Sequence, residues 1–306
     1  MSWESCIILL NSDSTGSFYC GDIVTGSVVI EFKKKQKVEH ITFTVYGTSK
    51  AQWSRSMPVM PYLKMYSEKN TILEYELDVF SELDGKTISP GIQTFHFHFV
   101  IPDDAPSTFK SSIAEVKYFI KVEGKADCKF KKLKIVPFVV QGNINLNHLE
   151  EYLIPTFHET KKTLWGSGFF SICFKTYIGF SSRQYIPFEA IITNEKKVKI
   201  SKIIVSLIQK LEYSVSSGYA NEEKHINKIE HKRFSHTVTE MCHFGMEIPQ
   251  TIPSSIHLTN PTVDISYVLR VEVVFPFHST LSKDIPVTVA TIPVMHHDFS
   301  DFQYKL

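Results

Sequence analysis

The sequence predicts an all-β protein made of two tandem antiparallel β-sandwich domains. Three observations carry that prediction: apolar and polar residues alternate along much of the chain, long amphipathic helices are absent, and one half repeats the other at nearly constant spacing. Strict alternation marks a strand with one buried and one wet face. In VKYFIKVEGKADCKF, residues Val116, Tyr118, Ile120, Val122, Ala126, Cys128 and Phe130 share one face, while Lys117, Lys121, Glu123, Lys125, Asp127 and Lys129 share the other. That is one long strand, or two joined at Gly124. VTGSVVIEF, HITFTVYG, TFHFHFVI, PFEAIITN, KIIVSLIQ and DISYVLRVEVVF read as further strands, bounded by Asn, Gly, Pro, Ser and Lys clusters. The best helical candidate is the short NHLEEYL at 147–153.

The repeat is visible as fixed offsets. Adding 162 to Val24, Gly26, Val28, Ile30, Ile41, Phe43 and Val45 gives Ile186, Phe188, Ala190, Ile192, Ile203, Val205 and Leu207 without a gap. Both copies carry a lysine-bearing turn between those strands, KKKQK in the first and NEKKVK in the second. Further on, IPDDAPSTF recurs as IPQTIPSSI at an offset of 147, and VKYFIKVE recurs as ISYVLRVE at an offset of 149. Four landmarks in the same order imply two homologous domains, 1–142 and 165–294, with a linker at 143–164 and a short tail at 295–306. Short strands joined by Pro, Asn and Ser turns, with no helices to cover a parallel sheet, call for antiparallel sandwiches.

Composition narrows the function classes. Lys and Arg number 33 against 32 Asp and Glu, so total charge gives no reason to expect nucleic acid as a partner. The five cysteines, Cys6, Cys20, Cys128, Cys173 and Cys242, lack the close spacing of a metal chelate or redox pair and read as reduced, mostly buried thiols. The N-terminal stretch lacks the pattern of a signal peptide, and no apolar run reaches the roughly 18 residues of a membrane-spanning helix. A cytoplasmic location fits these features. HExxH, GxSxG, the Walker A loop and a strand-borne GxGxxG do not occur, and the thirteen histidines form no spaced metal-ligand set. The sequence therefore points to neither catalysis, nor a metal, nor a cofactor.

FYCGDIVTGSVVI followed by ITFTVYGTSKAQW, then IPDDAPSTF and VKYFIKVEGKA, resemble the N-terminal domain of the arrestin-domain-containing proteins, or α-arrestins. Val45, Gly47, Ala51 and Trp53 follow the family's second stretch closely, and Tyr185, Pro187, Ile191 and Asn194 in YIPFEAIITN resemble a strand of its C-terminal domain, with Phe188 where the family usually has Gly. The resemblance spans about residues 5–293. It implies two immunoglobulin-like sandwiches and a non-enzymatic cytosolic adaptor. Such an adaptor recognises cytoplasmic segments of membrane cargo, touches the membrane peripherally, and links cargo to endosomal or ubiquitination machinery. Family members recruit ubiquitin ligases through PPxY motifs. This sequence contains no PPxY, so ligase recruitment would be indirect. A rival reading is a regulatory scaffold that sequesters a soluble partner, either a thioredoxin-like protein or a partner shared with the PPxY-bearing relatives.

Two sets of residues are candidates for function. Lys117, Lys121, Lys125 and Lys129 share one strand face, where they can bind acidic cargo tails, phosphates or lipid headgroups, or simply solvate the sheet. Cys242, followed by His243, sits broadly where a thioredoxin-interacting relative has a redox-active cysteine; an inert structural thiol is the competing reading.

Overall fold

The computed structural model describes residues 3–12, 16–38, 40–56, 62–124, 132–164, 168–235, 237–256 and 262–302. The first half of the chain forms β1 (Ser5–Leu10), β2 (Ser17–Tyr19), β3 (Ile23–Phe32), β4 (Gln36–Lys37), β5 (Ile41–Ser56) and β6 (Leu63–Leu77). It continues with β7 (Thr87–Ile88), β8 (Gly91–Val100), β9 (Phe109–Lys110), β10 (Ala114–Gly124) and β11 (Lys132–Gln141). One large sheet has the order β1-β3-β8, the other β2-β11-β10-β5-β6 with β9 beside β10, and β4 and β7 form a separate two-stranded sheet. The expected alternation is realised in β10, where Ala114, Val116, Tyr118, Ile120 and Val122 are buried. Phe18, Phe43, Phe97, Phe99, Tyr118 and Phe138 meet in edge, tilted and stacked contacts and make the aromatic centre of this core.

The second half begins with a single helical turn, α1 (Glu150–Leu153), inside the stretch predicted to be helical. Its strands are β12 (Thr156–Leu164), β13 (Gly168–Thr176), β14 (Gly179–Ser181), β15 (Tyr185–Asn194) and β16 (Lys202–Val215), then β17 (Gly218–His231), β18 (Thr239–Glu247), β19 (Val263–Val274) and β20 (Leu281–Ala290). They form sheets of order β12-β13-β15-β18 and β14-β20-β19-β16-β17. The chain divides into two compact units. One comprises Met1–Asn143 with Tyr213–Tyr219 and His257–Val263; the other comprises Ile144–Glu212, Ala220–Ile256 and Asp264–Leu306. The stretch 143–164, a linker by sequence, thus contributes α1 and β12 to the second unit. Strand β12 escaped the alternation test because it is an edge strand, with polar residues on both sides.

The duplication holds at the level of single hydrogen bonds. Strands β2 and β3 recur as β14 and β15 at an offset of 162, and β11 recurs as β20 at 149. In each copy the short strand pairs in parallel with the last one, Ser17 opposite Val139 and Gly179 opposite Thr288. Gly21 N–H donates to Ile101 O at 3.0 Å, and Arg183 N–H donates to Ile248 O at 2.7 Å. The return bonds, Ile101 N–H to Asp22 O and Ile248 N–H to Gln184 O, are equivalent too.

This turn needs a left-handed residue. Gly21 takes it at φ 86°, whereas Arg183 takes it at φ 66°. A side chain there costs about 1–2 kcal/mol, partly offset by the roughly 0.5–1 kcal/mol of extra entropy a glycine loses on folding. Arg183→Gly is therefore expected to stabilise the second unit by about 0.5–1 kcal/mol, read as a higher urea midpoint. Arg183→Val should lower the midpoint.

Candidate interaction surface

Strand β10 positions the predicted lysines. Residues directly opposite in an antiparallel pair share a face, so its outward row of Glu115, Lys117, Phe119, Lys121 and Glu123 is flanked by Lys50, Thr48, Tyr46, Thr44 and Thr42 of β5. On the other side lie Pro137, Ile135 and Leu133 of β11. Lys117 and Lys121 do lie on one outward face, as predicted; Lys125 and Lys129 fall outside the described residues.

The face is not a bare cationic surface. Lys117 Nζ lies 2.9 Å from a Glu115 carboxylate oxygen, and Lys121 pairs with Glu123. Lys117 holds the Glu115 carboxyl below its usual range. Between the two ion pairs, Phe119 stacks on Tyr46 with ring centroids 5.3 Å apart. Partial burial, followed by Glu74, pushes the Tyr46 phenol up.

The sequence reading missed the neighbouring strand. In β11 the apolar residues Leu133, Ile135 and Val139 are 53%, 48% and 41% exposed. Lys134 lies opposite buried Val122, on the inward row, where its charge acts on the Cys6 thiol. The amphipathic pattern of this strand is thus inverted near its start. β2 pairs β11 only at Val139–Gln141, so the outer edge of 132–138 has no strand partner among the described residues. The surface combines an apolar stripe, a stacked aromatic pair, neutralised charges and an open edge. Such a mixture suits protein contact better than capture of a free anion.

Cys242 lies elsewhere, in β18, paired with Ala190 and 4% exposed. Burial, and then the charge of Glu240, pushes its thiol up to about 11, which leaves it protonated at neutral pH. His243 cannot help, because alternation turns it to the opposite face, where its Nδ1 is 3.6 Å from Glu189.

A second exposed feature lies at one end of the second unit. Ser201 N–H donates to Val274 O at 2.8 Å and ties the NEKKVK turn to the loop after β19. Phe277 in that loop is 91% exposed, and Lys196, Lys197 and Lys199 are exposed in the adjoining turn.

Among the described residues no group of three or more His, Cys, Asp or Glu could hold a metal ion, and no helix is long and apolar enough to cross a membrane. An open groove of about 660 Å³ runs along Glu82–Phe95, with Glu82 and Lys86 its charged lining.

The geometry agrees with the family comparisons. The family model of the arrestin (or S-antigen) N-terminal domain matches residues 6–147, and that of the arrestin C-terminal domain matches residues 178–294. The chain is 25% identical over 165 residues to Arrestin domain-containing protein 5 of Bos taurus, covering 52% of this chain and 48% of that protein. It is 21% identical over 310 residues to Arrestin domain-containing protein 17 of Caenorhabditis elegans, covering 94% of this chain and 70% of that protein. The match thus takes in about half the length of the first relative.

Proposed function

This chain belongs to the arrestin-domain family, and from that premise we propose that it is a non-enzymatic adaptor binding cytoplasmic segments of membrane proteins during protein transport and endocytic sorting. The observation that carries the reading is the outer face of β5, β10 and β11, with its exposed Leu133, Ile135 and Val139 beside a strand edge that has no strand partner among the described residues. An extended cargo segment can add main-chain hydrogen bonds along that edge while covering the apolar stripe. The paired Lys117 and Lys121 make a polar rim that favours correct register more than affinity.

The adaptor works from the cytoplasm and reaches the plasma membrane or endosomes with its cargo. The exposed Phe277 and the exposed Lys196, Lys197 and Lys199, in segments joined through the Ser201–Val274 hydrogen bond, support a peripheral contact, an aromatic group entering the headgroup layer and lysines facing anionic lipid. The buried thiol of Cys242 gives no support to thiol-dependent capture of a thioredoxin-like protein.

Proximity labelling in cells with the full chain as bait tests this function. Enrichment of receptors, transporters and endosomal proteins is expected. A neighbour set dominated by soluble proteins would overturn the sorting reading in favour of a scaffold.

A further inference from the structure

The last described segment of the second unit, Val294–Phe302, is anchored at its start by Val294, buried in a cluster with Leu146 and Ala290. Beyond that point it is held by polar and aromatic contacts, among them His297 N–H donating to Leu153 O at 2.8 Å. Beneath it lies Lys175 of β13, whose cross-strand neighbours are Phe157 in β12 and Glu189 in β15, with His243 of β18 opposite Glu189. Lys175 is only 2% exposed. Its ammonium donates to the carbonyls of Phe299 at 2.7 Å and Phe302 at 2.5 Å and lies 4.1 Å from the Phe299 ring centroid. No carboxylate lies within 4.0 Å of it among the described residues. Tyr177 O–H donates to His297 O at 2.5 Å, and the Tyr177 ring stacks on His296 at 3.8 Å, 6° from parallel.

The hydrogen bonds around His296 fix its proton. Its Nε2 lies 2.7 Å from Gly179 O, which can only accept, so Nε2 carries the hydrogen. Its Nδ1 faces Gln184 Nε2 at 3.4 Å. That amide cannot turn over. Its oxygen accepts from Ser181 N–H at 3.0 Å and Val294 N–H at 3.3 Å, and its nitrogen donates to Val294 O at 2.7 Å. A proton on Nδ1 would therefore meet an N–H donor held in place.

We propose that Val294–Phe302 is an acid-releasable strap, docked while His296 is neutral and freed when a proton at Nδ1 opposes the Gln184 amide.

The other titratable and charged groups nearby leave this intact. The Tyr177 phenol is pushed up to about 12, by burial first and then by Asp298 and Asp301, and stays neutral throughout. The Arg183 guanidinium donates to Gln250 at 2.6 Å, and Asp298 accepts from Ser300. Glu150, Glu151 and Tyr152 belong to α1, where Tyr152 packs against Gly179. Lys175 and His297 add only positive charge when ionised, which opposes a further proton. Burial holds His296 below the usual histidine value of 6.5, against a smaller upward pull from the Gly179 carbonyl. Docking is thus at full strength above about 6.5 and weakens as pH falls through the lowered value.

The released state has its own partner for the uncovered ammonium. Lys175 lies directly opposite Glu189 in the β13–β15 register, so its side chain can turn to that carboxylate when the strap leaves. Release then avoids stranding a buried unpaired charge. Both states of the switch are defined by named contacts.

Hydrogen exchange on the full chain at pH 7.5 and 5.5, corrected for intrinsic exchange, reads the strap. Its protection is expected to fall by up to about tenfold per pH unit, the limit for one coupled proton, while β13 and β15 keep theirs. His296→Phe keeps the stacked ring but cannot take the proton, and its strap should be equally protected at both pH values. Equal protection in the unaltered chain, or the same loss on acidification in His296→Phe, would overturn the proposal. Should His296→Phe leave the strap unprotected throughout, Gln184→Glu decides, because a carboxylate facing Nδ1 favours the protonated ring. Protection that rises on acidification supports the switch, and protection that does not rise overturns it.

Discussion

Tyr267→Phe is expected to destabilise the second unit by about 2–4 kcal/mol, roughly twice the effect of Tyr118→Phe on the first. The two tyrosines occupy equivalent places, 149 residues apart, and each ties the Ile-Pro segment of its copy to the sheet. Tyr118 O–H donates to Pro106 O at 2.6 Å. Tyr267 O–H donates to Ile252 O at 2.5 Å and also accepts from Gln209 Nε2 at 2.6 Å, with Thr251 Oγ1 at 2.9 Å. Removing the Tyr118 hydroxyl strands one carbonyl. Removing that of Tyr267 strands a carbonyl and the amide of Gln209, itself 5% exposed, and each orphaned group costs about 1–3 kcal/mol. Urea unfolding of the full chain, with hydrogen exchange assigning each transition to its unit, gives the comparison. Equal shifts for the two variants would show that the Gln209 amide contributes nothing.

The sequence revealed the sandwiches because their strands bury alternate residues, and revealed the duplication because both copies need the same turns. It misplaced one equivalence. Aligned on their prolines, IPDDAPSTF and IPQTIPSSI match at an offset of 147, which pairs Pro106 with Pro253. The tyrosine-bound carbonyls are instead Pro106 and Ile252, and the hydroxyls accepting from Val140 N–H and Val289 N–H are those of Thr108 and Ser254, an offset of 146 in both cases. Prolines dominate the text, but hydrogen bonds to the sheet set the position.

The candidate surface was half legible. Alternation put Lys117 and Lys121 outward, yet the same alternation puts Glu115 and Glu123 beside them, so a charge count by face would have shown the neutralisation. The stripe of β11 was hidden because a lysine-rich run suggests solvent on both sides. The register that places Lys134 opposite Val122 exists only once β10 and β11 pair. The exposure of Phe277 and the latch around His296 depend on loops and long-range contacts that carry no periodic signal.

In the proposed function, partners dock on the β10–β11 face through its apolar stripe. Leu133→Glu with Ile135→Glu tests it. Covering a Leu or Ile contributes about 1.5–3 kcal/mol when burial is complete, and these two start about half exposed. Losing both contacts and burying charge should cost at least about 1.4 kcal/mol, a tenfold loss of affinity. The fold should be unaffected, since both side chains face solvent. Lys117→Gln with Lys121→Gln should change affinity less than about threefold, because the exposed Lys117–Glu115 pair contributes little and the half-buried Lys121–Glu123 pair is satisfied within the face itself. The measurement is the dissociation constant, by fluorescence anisotropy, for a labelled cytoplasmic segment recovered by proximity labelling. A tenfold or greater rise is expected for the glutamate pair at unchanged melting temperature. An unchanged constant for that pair, together with a large rise for the glutamine pair, would contradict docking through the stripe.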